Sequence, residues 1–287
     1  MLYVGIADVQ VPDYAVDLDG GVILSPARSR LMRPFLLTSG WGEPETSFGG
    51  SRIHSDNPGY DIVGQVAVPT ALLSDGGLHV DGTAWLFASL LRLASTPRLR
   101  TPVVSTGPFD EHVLSTGTQT VPLEREIIPD RLQLAPDAPA SLSPEGLDWV
   151  RTHWSKCLNM VRHDSAFGLL LRAIDGATFV GDASLALVMM WGALENIFSP
   201  ARVELKFRVS GNISCFLEPP GANRVAVQRA SAKLYDARSA AAHGKPHNDL
   251  APAAQTYALA RRVVMKILET GKVPNASNLE EMLLAGR

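Results

Sequence analysis

The chain has 287 residues, 46% of them hydrophobic, with a formal charge of −3. That is enough apolar material for one large or two medium domains. Two cysteines exclude a disulfide framework and fit a reducing compartment.

The charge is unevenly spread. Residues 199–287 carry 13 Lys/Arg against 7 Asp/Glu, whereas residues 1–198 carry 13 against 22. A basic C-terminal third suits a phosphate-bearing partner, although charge excess is usually only a solvated surface. The start, MLYVGIADVQ, lacks a basic segment followed by an apolar run, so no secretory signal is expected and a cytoplasmic location is. The longest apolar stretch, SLALVMMWGALENIF, is interrupted by Glu195 and is too short to span a bilayer.

Along the first 135 residues, short β-rich runs (YVGIADVQV, GGVILSP, DIVGQVAVP, TPVVSTG) alternate with Gly, Pro, Asp and Asn, the punctuation of strands and turns. Their pattern fits a sandwich or a small barrel. VVSTG (103–107) recurs as VLSTG (113–117), either a hairpin or a coincidence. One helix is expected here, over 81–95, with Asp81 or Thr83 as its cap. The Pro-, Ala- and Ser-rich stretch PDRLQLAPDAPASLSPEG (129–146) reads as a linker. It divides the chain into a β-rich domain (1–135), a connecting segment (136–143) and an all-α domain (144–287). The fold class is therefore α+β.

The helical part opens with Ser143 as cap, Pro144 in the first helical position and Glu145 near the positive helix end. Over 144–163, Leu147, Val150, Trp154, Leu158 and Val161 recur every three or four residues and form one apolar face. Helices over 165–177 and 181–200 follow, the second apolar nearly all round and therefore central. Runs over 203–221, 222–246 and 248–272 come next, ending at Pro-Pro-Gly, Gly-Lys-Pro and Gly respectively, before a short amphipathic tail.

Several chemistries find no support. The chain lacks a phosphate loop, a dinucleotide fingerprint and a Gly-x-Ser-x-Gly elbow, so no cofactor is expected. His153 and Cys157 stand four apart on one helix, with His163 further on, and a pair at that spacing can share a metal. Without a second Cys/His cluster the plainer reading is a half-exposed face with Cys157 turned inward, and no metal is expected. His54, His79 and His112 lie in loop-like stretches without a partner pattern, and His247 lies just beyond a helix stop.

The informative stretch is LYDARSAAAHGKPHND (234–249). Residues five apart on a helix diverge by about 140°, so Arg238 and His243 share no face by periodicity. Gly244 and Pro246 should end the helix at His243 and leave its imidazole free to point along the axis. A guanidinium fork recognises phosphate, and imidazole exchanges protons near neutrality. Together they suit metal-free phosphodiester cleavage, but one copy lacks the second acid/base group unless another subunit supplies it. Ser239, Ala240, Ala241 and Ala242 form a narrow surface on which a twofold-related copy of the helix can pack closely. The plain alternative is a good helix former ended by a capping histidine, with Arg238 paired to Asp236 or Glu195.

Tyr235, Arg238, Ser239, His243 and Gly244 in register, following ALENIFSP (193–200), resemble the HEPN superfamily, and in particular its Apea-like group. The resemblance covers residues 181–246, extends plausibly over 144–287, and is silent on the N-terminal part. It implies a HEPN-like helical bundle, a homodimer formed through helix 222–243, and a metal-independent endoribonuclease leaving 2′,3′-cyclic phosphate ends. Arg238 would bind the scissile phosphate and His243 would transfer protons around the ribose 2′-hydroxyl. Ser239, Glu195, Tyr235 and Asp236 would support them, Glu195 as an orienting or a structural partner of Arg238, and Lys245 would contact RNA. Such proteins often act in prokaryotic antiviral defence or in toxin–antitoxin systems, with an antitoxin or sensor as partner. Other members are inactive RNA- or protein-binding scaffolds.

Overall fold

A computed structural model describes residues 1–31, 60–74, 80–109, 120–123, 131–199, 205–244 and 249–284. The β-rich segments build one antiparallel sheet from β1 (Leu2–Ala7), β2 (Val16–Asp17), β3 (Ile23–Leu31), β4 (Tyr60–Val68), β5 (Arg100–Ser105) and β6 (Thr120–Pro122). The strand order is β2-β3-β4-β1-β5-β6. This is a single open sheet among the described residues, where the sequence pattern also fitted a sandwich or barrel. β5 pairs with β6, Val104 opposite Val121, while the repeat at 113–117 lies outside the described residues. Pro26 in β3 has no N–H for a ladder, and the β3–β4 register shifts between Pro26 and Ser29.

Side chains alternate across β1 as strand geometry requires. Leu2, Val4 and Ile6 enter the main core, together with Val66 and Val104 from the neighbouring strands. The opposite face carries a smaller cluster of Ala7, Ala27, Ile62, Val103 and Phe109. Gly5 faces this second cluster. A methyl group there would stand 3.0 Å from Val103 Cγ1 and 3.2 Å from both Ile62 and Phe109, so all three side chains would have to shift to admit it.

The expected helix over 81–95 is α2, Val80–Ala94, preceded by the short α1, Ala71–Ser74. Seven helices follow: α3 (Pro144–His163), α4 (Ser165–Ala177), α5 (Ala183–Phe198), α6 (Leu205–Leu217), α7 (Ala222–Ala242), α8 (Ala251–Thr270) and α9 (Ala276–Leu284). Neither Asp81 nor Thr83 caps α2, since both lie inside it, but the Ser143 cap and the Gly271 stop are as expected, and two further caps appear. Ser143 Oγ accepts from Gly146 N at 3.0 Å, Asp164 and Asp182 cap α4 and α5, and Gly271 ends α8 in the left-handed region. As its composition implied, α5 is central, packing against α4, α6, α7 and α8. It buries Leu187, Met190, Trp191, Leu194 and Phe198, each stabilising by about 1.5–3 kcal/mol.

The change from strand to helix falls near residue 143, yet the core runs across it. Phe87, Leu90 and Leu91 of α2 share one cluster with Val150, Trp154, Leu170 and Ile174 of α3 and α4. Polar bonds reinforce the joint. Trp154 Nε1 donates to Leu18 O at 2.8 Å, beneath a turn in which Gly20 (φ +63°) lies too close to the indole for any Cβ. Arg92 of α2 pairs with Asp175 of α4 at 2.7 Å, both fully enclosed, and Trp85 Nε1 also donates to Asp175. Segment 136–143 is likewise bound to the sheet side: Gln10 N donates to Ala140 O and Leu142 N to Gln10 O. No described helix is long and apolar enough to cross a membrane.

Candidate functional site on helix α7

Helix α7 is lightly packed. Of its 21 residues, Ser231, Leu234 and Tyr235 are buried, and α7 rests on α5 and α6 by that narrow stripe. The remaining surface is half-buried or exposed, including Ser239 to Ala242. The helix ends where the glycine requires. Gly244 adopts φ +74°, open to a residue without a Cβ, and the His243 N–H closes the last turn onto Ser239 O and Ala240 O at 3.2 Å.

Arg238 turns towards α5. Its Nη2 donates to Glu195 Oε2 at 3.1 Å and lies 3.1 Å from Oε1 as well, with the two side chains 23% and 19% exposed. Of the two partners the sequence allowed, Glu195 is therefore the one used. Asp236 pairs instead with Lys206 of α6, at 2.6 Å on the open surface. Arg238 Nε is buried and meets no acceptor among the described residues.

Tyr235 completes the setting. Its ring meets Trp191 edge-on with centroids 5.3 Å apart, and the Arg238 guanidinium carbon lies 5.4 Å from the Tyr235 centroid. Burial pushes the phenol up to about 12, helped by the neighbouring Glu195 carboxylate, with Arg238 opposing. At neutral pH Tyr235 is thus protonated and no base. The four side chains form a chain of contacts: Trp191 supports Tyr235, Arg238 lies over Tyr235, and Glu195 pairs with Arg238.

His243 is exposed, and its imidazole makes no hydrogen bond to a described residue. Within one chain Arg238 is braced inward while His243 stands in solvent, and no hydrogen bond joins them. Ser239 is half-buried next to Arg238. Lys245 and His247 lie outside the described residues. Sequence reasoning passed over Trp191 and Lys206. Trp191 stands four residues before Glu195, one helical turn along the same face, which was a usable signal. Nothing local marks Lys206, since its partner is 30 residues away.

The histidines and cysteine of α3 do not converge. His153 stacks on Trp149 and bonds Trp149 O at 2.8 Å, while His163 bonds Asn159 O at 2.8 Å. Cys157 is buried, and burial pushes its thiol up to about 12, so it stays protonated. Among the described residues no three His, Cys, Asp or Glu stand close enough together to hold a metal ion.

Comparison of the chain with known protein families, with curated proteins and with solved structures found no match.

Proposed function

We propose that this chain is a metal-independent endoribonuclease of HEPN type that acts as a homodimer through α7. The observation that carries the reading is the pairing on one helix end of a braced guanidinium, Arg238, with an exposed imidazole, His243, beside a helix surface left largely unpacked. The basic balance of residues 199–287 suits an RNA partner. Closing two copies of α7 together brings two Arg238–His243 pairs to one cleft. One His243 takes the proton of the ribose 2′-hydroxyl, whose oxygen attacks the adjacent phosphorus. The 5′-oxygen leaves with a proton from the second His243, giving a 2′,3′-cyclic phosphate and a 5′-hydroxyl. Arg238 neutralises the phosphate as charge builds on its oxygens, and Glu195 holds the guanidinium in one rotamer. The chain then serves in the cytoplasm as an effector of antiviral defence or of a toxin–antitoxin system, under an antitoxin or sensor.

A second reading has its own support. The Arg238–Glu195 pair gives the guanidinium a partner inside its own chain, as a non-catalytic HEPN-type binding or scaffold module would use it.

Labelled RNA incubated in EDTA with wild type, Arg238→Ala and His243→Ala decides between them. Cleavage that survives chelation and vanishes in both variants is expected. Equal background in all three refutes the nuclease. His243→Ala should change stability by less than about 0.5 kcal/mol, because the imidazole is exposed and makes no hydrogen bond to a described residue. Light scattering should give a dimer; a monomer at working concentration removes the composite site.

A further inference from the structure

Helix α6 presents a phenylalanine to solvent where it packs beside α7. Phe207 is 62% exposed, and it lines a groove of about 610 Å³ whose other described walls are Leu205, Lys206 and Ser210 of α6 and Gln228 and Ala232 of α7. That volume lies within the range of ligand sites. A lone exposed apolar side chain is ordinary on a protein surface, but one that opens onto an apolar groove marks a place for a partner.

The walls are tied together and the charges around them are sorted. Ser210 Oγ donates to Lys206 O at 2.6 Å, and Gln228 Nε2 donates to Ser210 Oγ at 3.3 Å, which links the two helices at the groove. Both described carboxylates between residues 205 and 244 are already paired, Asp236 with Lys206 and Glu218 with Arg262. Arg229 and Lys233 are exposed, and their side chains make no hydrogen bond or ion pair with a described residue. They follow Gln228 and Ala232 by one residue, about 100° round the helix, and stand about 6 Å apart along its axis. The solvent edge of the α7 wall therefore carries two cations that no described residue neutralises.

From this we propose that the groove seats an unstacked base of single-stranded RNA against Phe207, with Arg229 and Lys233 holding the adjacent phosphates, an assignment that rests on the chain acting on RNA. Aromatic stacking beside a basic track for the backbone is how proteins hold single strands without reading their sequence. A duplex keeps its bases stacked and cannot place one in the groove. An apolar protein segment would fill the groove but leave the two cations unanswered, whereas a nucleotide brings a flat ring and an anion together. The groove also lies clear of the helix surface assigned to the second copy. Ala232 precedes Ser239 by seven residues, about 10 Å along the axis, and His243 by eleven, about 16 Å. Residues 239–242 can meet a second copy while the groove stays open, and the seated base lies a few nucleotides from the scissile phosphate.

Fluorescence anisotropy of the full chain with a short labelled RNA tests the seat, in the His243→Ala background so that binding is read without cleavage. Phe207→Ala should weaken binding of the single strand about tenfold, with its salt dependence and the melting temperature unchanged. The same change should leave binding of the annealed duplex as it was. Arg229→Ala together with Lys233→Ala should reduce the slope of log affinity against log salt by about 1.4 for the single strand. Single-strand binding that Phe207→Ala leaves intact, an equal loss for single strand and duplex, or a salt slope unmoved in the double variant overturns the seat and leaves the nuclease standing. Wild type that neither binds nor cleaves RNA overturns both. Light scattering of Phe207→Ala should give the mass of wild type; a dimer lost in that variant assigns the groove to the second copy and overturns the RNA seat.

Discussion

Glu195→Ala perturbs the centre of the α7 site without touching its surface. The carboxylate stands 3.1 Å from Arg238 Nη2, with both side chains more than three-quarters enclosed. At that separation the gross attraction is about 5 kcal/mol for an effective dielectric near 20. Desolvation of both charges and the ordering of two long side chains cancel most of it, leaving a net contribution of about 1–3 kcal/mol. The variant leaves a largely enclosed guanidinium against the Tyr235 ring. Its melting temperature should fall by about 5 °C in a chain of this size. A double-mutant cycle isolates the pair. Arg238→Met keeps the apolar stem, so Glu195→Ala in that background should cost at least about 1 kcal/mol less than in wild type. Chemical denaturation of the four proteins gives the coupling directly. Additive effects, within about 0.5 kcal/mol, would refute the pairing and with it the bracing of Arg238.

Glu195 adds to burial in raising the Tyr235 phenol, so ultraviolet titration should show two tyrosines near 12 in wild type, Tyr235 and Tyr257, and only one of them moving down towards 10 in Glu195→Ala, with burial keeping it above 10; unmoved midpoints refute the influence of Glu195 on Tyr235. Tyr235 and Tyr257 both titrate near 12 when folded, against 10 when unfolded. The unfolded chain therefore releases these protons first, and the stability they confer is present below pH 10 and is lost as pH rises towards 12. The loss is at most about 3 kcal/mol for each, and denaturant midpoints that stay flat over that window would contradict the burial of the two rings. Asp175→Ala removes the partner of both Arg92 and Trp85 inside the core, so it should destabilise by about 3–5 kcal/mol; a loss under 1 kcal/mol in chemical denaturation would show that the joint between α2 and α4 is open to water.

What was legible in the residues is what short-range physics dictates. Ser143, Asp164 and Asp182 satisfy amide groups within three residues, and Gly244 and Gly271 end helices by their own backbone freedom. The α+β class follows from alternation before residue 135 and three-to-four spacing after 144, and the all-round apolar character of α5 already placed it at the centre. Arg238 and His243 were visible as a motif, and Gly244 as its terminator.

Everything decided by partners distant in the chain needed the tertiary structure. Glu195 and Asp236 were equal candidates for Arg238 in the sequence. Only the packing of α7 across α5 and α6 gave Arg238 to Glu195 and Asp236 to Lys206. Composition at 129–146 reads as a linker, yet within it Ala140 and Leu142 bond to Gln10, and Leu134 and Leu142 join the main core. The sheet order β2-β3-β4-β1-β5-β6 arises from strands tens of residues apart. The sequence by itself determined the start of α3 at Ser143, the stops of α7 and α8 at Gly244 and Gly271, and which helix is central, because capping and periodicity act within a few residues. The tertiary structure alone decided which charges meet, because an ion pair depends on proximity in space, and many different pairings satisfy the same string of residues.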